Sequence, residues 1–323
     1  MKHAPALRRT ASALTVVGLL AGVTACTTAS ADSSGEEESV TVSVGTLKGQ
    51  PHLYHPFLYA DQGIEGVEFE VITFDTSPDI KNAVVSGSID FGVTGIPSAL
   101  SGIAVGEEIA VIASAADGGT GIVGTPDIDG VEDLAGRTVG FPQGASQEIL
   151  LRLTLEAHGV DIDDLELVNL PFSDMANALA TGDIDAFSSA ELGPSIAKLA
   201  GAVDIVDPYQ TPVGRVNIGL ITTRALIDED PALVQSVVDA HIGATEDMLA
   251  DEEAWATAVV ETFGLDLDVV RTAIGNIWPR DTLEETFRDQ VVALATEMNA
   301  LGYLDSVPTA DDIFDTTFVE AAS

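Results

Sequence analysis

Positive charge is scarce in this chain. Lys and Arg number 13 against 52 Asp and Glu in 323 residues, a formal net charge of −39. A nucleic-acid partner needs cations to neutralise phosphates, so that class is excluded. The acid excess reads as a solvated surface that maintains solubility. Cysteine is almost absent: Cys26 stands alone, which rules out an internal disulfide, a cysteine zinc site and a cysteine iron site. Catalytic signatures are missing too. There is no nucleophile elbow, no HExxH and no P-loop, so no catalytic set and no cofactor are expected. His52 and His55 flank Tyr54 without a nearby acid or cysteine, which argues for helix-face histidines over a metal site.

Apolar residues make up 46% of the chain, enough for two α/β domains or one large one. The N-terminus is patterned differently. Met1-Lys2 to Arg8-Arg9 is basic, and Ala11 to Ala25 carries no charge. This is the n-region and h-region of an export signal, too short for an ordinary membrane span. The run ends Val23-Thr24-Ala25-Cys26, which resembles the bacterial lipoprotein box; a plain signal peptide with an incidental cysteine is the alternative. Thr27 to Ser39 is small, polar and acidic, as a tether would be. The expectation is a signal peptide over 1–25, lipidation at Cys26, a tether over 26–39, and a folded part anchored at the outer face of the cell membrane.

Beyond the tether, β-branched alternation at Val40–Val44 predicts a strand. The rest of the first half alternates strands and helices with short loops, predicting mainly parallel sheet. Helices are expected at 52–62, 77–86 and 97–105, and strands at 67–73, 89–93 and 109–114. One unit recurs: Asn82, Ala83, Gly87, Ile89 and Asp90 are echoed by Asn177, Ala178, Gly182, Ile184 and Asp185. Two helix–turn–strand units suggest two similar α/β halves. The glycine-rich stretch at 117–121 predicts a crossing from one half to the other, and a strand at 215–222 the return. From Pro231 the pattern is helical.

Three segments together, 83–98, 133–146 and 178–191, resemble the extracytoplasmic solute-binding proteins of ABC importers. The similarity is to the nitrate/sulfonate/taurine branch and its pyrimidine-binding relatives. The resemblance implies an α/β, two-lobed, type II periplasmic-binding-protein fold. Two mainly parallel sheets would be joined by two crossing strands and followed by a C-terminal helical tail. Lobe 1 is then expected at 40–118 and 222–323, and lobe 2 at 119–221. The chain is expected to be a monomer and not an enzyme. It would bind a small anionic or zwitterionic solute, sulfonate-, taurine-, nitrate- or pyrimidine-like, and pass it to a membrane permease.

Candidate ligand contacts lie where strands lead into helices. Gly144-Ala145-Ser146 opens a helix whose free N–H groups and dipole attract an anion; the alternative is that Ser146 only caps that helix. Thr94, Gly95 and Ile96 form the matching turn of the first half, and Ser189 with Glu191 that of the second. Glu191 would suit an amine or ring N–H, or would be an exposed acid at a helix start. Thr46, Leu47 and His52 follow the first strand, and Ala116 with Asp117 close another. Two competing readings remain: an enzyme of the thiamine-pyrimidine or menaquinone type sharing the fold, and a ligand sensor for a membrane receptor.

Overall fold

The computed structural model describes residues 39–322. Cys26, the signal over 1–25 and nearly all of the tether lie outside the described residues. In chain order the elements begin β1 (Val40–Leu47), β2 (Val67–Phe74), α1 (Ser77–Val85), β3 (Phe91–Gly95), α2 (Ile96–Ala104), β4 (Ile109–Gly118) and β5 (Thr120–Gly124). Then come β6 (Thr138–Phe141), α3 (Ser146–Ala157), β7 (Glu166–Asn169), α4 (Phe172–Thr181), β8 (Ala186–Ala190), α5 (Gly193–Leu199) and β9 (Val203–Val206). The last part holds β10 (Val216–Thr223), α6 (Arg224–Glu229), α7 (Pro231–Ala250), α8 (Glu252–Phe263) and α9 (Leu267–Ile274). It ends with β11 (Ile277–Pro279), α10 (Glu285–Ala300), α11 (Ala310–Ile313) and α12 (Thr317–Ala321).

The strands form two sheets: a 6-stranded one in the order β11-β4-β10-β3-β1-β2, and a 5-stranded one in the order β7-β6-β8-β5-β9. This is the two-lobed α/β fold. Parallel pairing joins β1 to β2 and β3, and β6 to β7 and β8. Each sheet also contains an inserted strand of opposite direction. β10 lies antiparallel between β3 and β4, and β5 antiparallel between β8 and β9. These are the strands that follow the crossings: the chain leaves the first sheet at Gly118 and enters the second at Thr120, then returns between Val206 and Val216. The inner strands β3, β5 and β8 are buried along their whole length, as strands covered on both faces must be.

The repeated motif has a common structural job. Asp90 Oδ2 accepts from the Ser43 backbone N–H at 2.8 Å and from the Ser43 hydroxyl at 2.6 Å. Asp185 Oδ2 accepts from the Thr138 backbone N–H at 2.9 Å. In each half, therefore, the aspartate pins the turn to the neighbouring parallel strand, at Ser43 in the middle of β1 and at Thr138, the first residue of β6. Gly87 and Gly182, at φ 68° and 78°, end the preceding helices in the left-handed region, where glycine carries no Cβ penalty.

Several expected bounds change. The stretch 52–62 is not an α-helix but two 3-10 segments, Pro51–Leu53 and His55–Gln62; Pro51 and Pro56 each remove a backbone donor. The third strand starts at Phe91 rather than Ile89, because Ile89 and Asp90 belong to the pinned turn. The helical pattern expected from Pro231 onward, with one helix over 268–277, is interrupted: α9 stops at Ile274, and Ile277–Pro279 adds an edge strand on β4.

Candidate functional site

The carboxyl ends of β1, β3 and β4 face the same edge of the first sheet, and those of β6 and β8 the same edge of the second. Thr46, Leu47, Thr94, Gly95, Ala116, Asp117 and Ser189 sit in the last residues of these strands, where turns were expected, while His52, Ile96, Gly144, Ala145, Ser146 and Glu191 follow them.

Thr46 is fully buried and donates its hydroxyl to the Leu53 carbonyl at 2.5 Å, folding the turn back on itself; Leu47 is half-buried. His52 is buried beside Gly119 and Asn217, and its Nδ1 has no hydrogen-bond partner. Burial pushes its pKa down to about 3, so the ring is neutral. Thr94 donates its hydroxyl to the Ser77 carbonyl at 3.1 Å, and the Gly95 N–H donates to Ser77 Oγ at 3.2 Å. Gly95 is the N-cap of α2. The Ile96 side chain packs over Gly219 in the core, so only its backbone is available to a ligand. Ala116 is buried within the sheet. The Asp117 carboxylate is held by Arg280 at 2.5 Å. Burial raises its pKa and the Arg280 charge offsets part of that rise.

On the second sheet, Gly144 has a φ of 79° and donates its N–H to Glu148 Oε2 at 2.7 Å. Ala145 is the N-cap of α3 and Ser146 its first helical residue. The Ser146 hydroxyl is therefore not spent on capping, although the residue is buried. Ser189 is wholly buried and turns its hydroxyl to the Ala190 carbonyl at 3.0 Å.

Glu191 departs most from expectation. It is not an exposed acid at a helix start; its exposure is 0%. Oε2 accepts from the Ser195 hydroxyl at 2.7 Å and the Ser195 N–H at 3.2 Å, and Oε1 from the Asn276 amide at 3.1 Å. Burial raises its pKa, while these donors and the more distant Lys198 charge work the other way. All the donors touching the carboxylate are neutral.

The structure brings His52, Glu191 and the crossing together. The Glu191 N–H donates to the Gly119 carbonyl at 2.8 Å, and the Asn217 amide donates to the Gly118 carbonyl at 2.6 Å. Gln147, buried next to Ser146, donates to Thr120 Oγ1 at 3.1 Å, and its carbonyl accepts from the Ser188 hydroxyl at 2.8 Å. Ile149 and Leu150 of α3 belong to the core of the first sheet, so the two layers close against each other. Thr94 and Thr46 make no hydrogen bond to this group, their hydroxyls being used by the Ser77 and Leu53 carbonyls.

Gln147, Asn276 and Tyr209, whose hydroxyl accepts the Thr120 N–H at 2.9 Å at the crossing, carry little signal in the sequence. Gln147 directly follows the Gly144–Ser146 turn, a usable signal. Asn276 sits at the end of a helical pattern, where no local signal marks it. Among the described residues no group of three or more His, Cys, Asp and Glu is arranged to hold a metal. His55 instead stacks on His241 with ring centroids 4.6 Å apart. Among the same residues no helix is long and apolar enough to cross a membrane.

Similar proteins share this architecture. A putative binding protein of Brucella abortus is 27% identical over 190 residues, 56% of this chain and 57% of that protein; the chain thus matches a little over half of that relative's length. A putative aliphatic sulfonates-binding protein of Escherichia coli is 23% identical over 91% of this chain and 93% of its own. The formylaminopyrimidine-binding protein of Halalkalibacterium halodurans is 24% identical over 53% of this chain and 54% of its own. The periplasmic aliphatic sulphonate binding protein SsuA from Escherichia coli superimposes with a TM-score of 0.74 at 19% identity, covering 85% of this chain and 97% of its own. The desulfurization enzyme DSZB has the same fold at a TM-score of 0.67 and 18% identity, over 87% and 98% of the two chains. The family described as NMT1/THI5 like matches residues 59–254, more than half of the chain, and the chain belongs to that family.

Proposed function

We propose that this protein is the extracytoplasmic, lipid-anchored solute-binding component of an ABC importer. It captures a small zwitterion in the cleft between lobe 1, residues 40–118 and 222–323, and lobe 2, residues 119–221. The carrying observation is the Glu191 carboxylate: wholly buried, held only by neutral donors, and set beside the crossing. A buried carboxylate without a cation in contact is costly, and an ammonium or ring N–H on the ligand supplies what is missing. The anionic end of the ligand faces the start of α3 at Ala145 and Ser146, where the helix dipole is positive. An aminosulfonate satisfies both ends, and the sulfonate-binding name of the Escherichia coli relative supports that choice. Thr94, Gly95, His52 and Ser189 complete the wall, and Cys26 carries the lipid. Solute binding without chemistry fits the names of the relatives, while the fold alone is compatible with an enzyme.

The test is titration calorimetry with taurine-like aminosulfonates, unsubstituted alkanesulfonates, nitrate and an aminopyrimidine. The aminosulfonates should bind most tightly. Tighter binding of an unsubstituted sulfonate or nitrate overturns the role of Glu191, and no binding by any member overturns the substrate class.

A further inference from the structure

Two carboxylates of the second layer, Glu148 and Glu191, are each built in the same way. Each has one oxygen fixed by its own neighbourhood. Arg152 holds Glu148 Oε1 through Nε at 2.9 Å and Nη2 at 2.8 Å. Ser195 holds Glu191 Oε2 through its hydroxyl at 2.7 Å. The other oxygen of each reaches a residue on the side of the first sheet. The Tyr303 hydroxyl, just past α10, donates to Glu148 Oε2 at 2.6 Å. The Asn276 amide, between α9 and β11, donates to Glu191 Oε1 at 3.1 Å.

The two bonds stand at separate contacts between the layers. One accompanies the packing of α10 on α3, the other the packing of α9 on α5. Both acids are also tied to a turn proposed to meet the ligand: Glu148 Oε2 takes the Gly144 N–H, and Glu191 opens the turn after β8. Asn276 is tied to the crossing as well. Its carbonyl accepts the Gly119 N–H at 2.7 Å, its amide donates to the Thr120 carbonyl at 2.9 Å, and its Oδ1 accepts the Tyr209 hydroxyl at 3.1 Å.

We propose that Glu148–Tyr303 and Glu191–Asn276 are paired closure latches. They give the protein a closed arrangement that it adopts without ligand, with Asn276 passing the state of the crossing to the Glu191 turn. The physical basis is selective. Both acids are buried and pre-oriented within the second layer, so closure costs little reorganisation and adds one hydrogen bond to a charged acceptor at each contact. Opening leaves those acceptors short of a donor unless water enters. The consequence for binding rests on the cleft being the ligand site; the latches themselves do not.

The latches are tested in the absence of ligand. The full chain with Cys26→Ser is spin-labelled at cysteines replacing the exposed Glu132 and Glu285. The protein is unfolded and refolded to remove any carried solute, and the distance between labels is measured by double electron–electron resonance. The short distance should dominate. Tyr303→Phe and Asn276→Ala should each raise the ratio of long to short distances by on the order of tenfold, the equivalent of one hydrogen bond to a charged group. The double variant should raise it further. A long distance already dominant in the parent, or a distribution unchanged in all variants with intact circular dichroism, overturns the proposal. Tyr303→Phe removes a single oxygen and carries the test alone if Asn276→Ala does not fold. Because no ligand is used, failure here is distinct from failure of the calorimetric panel.

Discussion

The Asn276 side-chain amide donates to Glu191 Oε1 at 3.1 Å, although the two residues are 85 positions apart, Glu191 following β8 of one sheet and Asn276 preceding β11 of the other. Glu191 thereby gains a fixed orientation that its own turn, through Ser195 alone, would not provide.

Replacing that acid separates binding from folding. Glu191→Gln keeps most of the hydrogen bonds and removes the charge, so the melting temperature should hold. Affinity for an aminosulfonate should drop at least tenfold, and affinity for an unsubstituted sulfonate should change little. Glu191→Ala instead strands the donors of Ser195 and Asn276, and a urea titration should show a loss of about 1–3 kcal/mol.

Ser146 is the first residue of α3 and its hydroxyl caps nothing. Ser146→Ala should therefore weaken solute binding while costing less stability in urea than Glu191→Ala, because no cap is lost. Calorimetry and urea titration on the same sample decide the point; an unchanged affinity removes Ser146 from the site.

The pinned turns behave oppositely. Asp90 accepts both the N–H and the hydroxyl of Ser43 at a distance from the proposed ligand contacts. Asp90→Ala should cost about 1–3 kcal/mol of stability with solute affinity retained. Equilibrium urea unfolding measures the first and calorimetry the second.

Acid should weaken the fold through its buried histidines. His241 accepts the Tyr59 hydroxyl at Nδ1 and donates from Nε2 to the Ser114 carbonyl, each at 2.7 Å, so the neutral ring is already satisfied. Burial lowers its pKa to about 4 and that of His52 to about 3, and lowers that of His55 well below the ordinary value. The folded state thus binds fewer protons than the unfolded chain at pH values between the folded and unfolded pKa. Their contribution is intact above pH ~6.5 and declines as pH falls toward ~4 and below. A urea midpoint that drops over this window, and drops less in His241→Gln, is the expected result.

The crossing is sensitive to side chains. Gly119 has a φ of 70°, and Gly119→Ala should cost about 1–2 kcal/mol for the left-handed backbone alone. At Gly118 a Cβ would also lie 2.5 Å from the Trp278 ring, so Gly118→Ala should lower the melting temperature more than Gly119→Ala. Differential scanning calorimetry of the two variants gives the order.

Strand and helix content was legible because apolar alternation and helical spacing are local properties. The repeat at Gly87 and Gly182 was legible for the same reason: a left-handed residue ending a helix leaves a glycine behind. The aspartates three residues on, Asp90 and Asp185, looked like part of a signature, and only the neighbouring strands reveal them as pins. The 3-10 segments were partly legible, since Pro51 and Pro56 are visible, but the helical composition around them outweighed the breakers. β11 was not legible. Three residues carry no periodicity, and Ile277–Pro279 is a strand only because the β4 edge is there to receive it.

The sequence by itself determined the acidic surface, the absence of cysteine chemistry within the folded part, the two α/β halves and the turns that bear the candidate site. Each follows from composition or from patterns within a few residues. The tertiary structure decided that Glu191 is buried and shared with Asn276, that Asp117 is bound to Arg280, and that His52 lies beside Gly119. Those facts depend on which distant groups meet. A carboxylate's solvation and its hydrogen-bond partners are set by neighbours brought close by folding, and no local pattern encodes them.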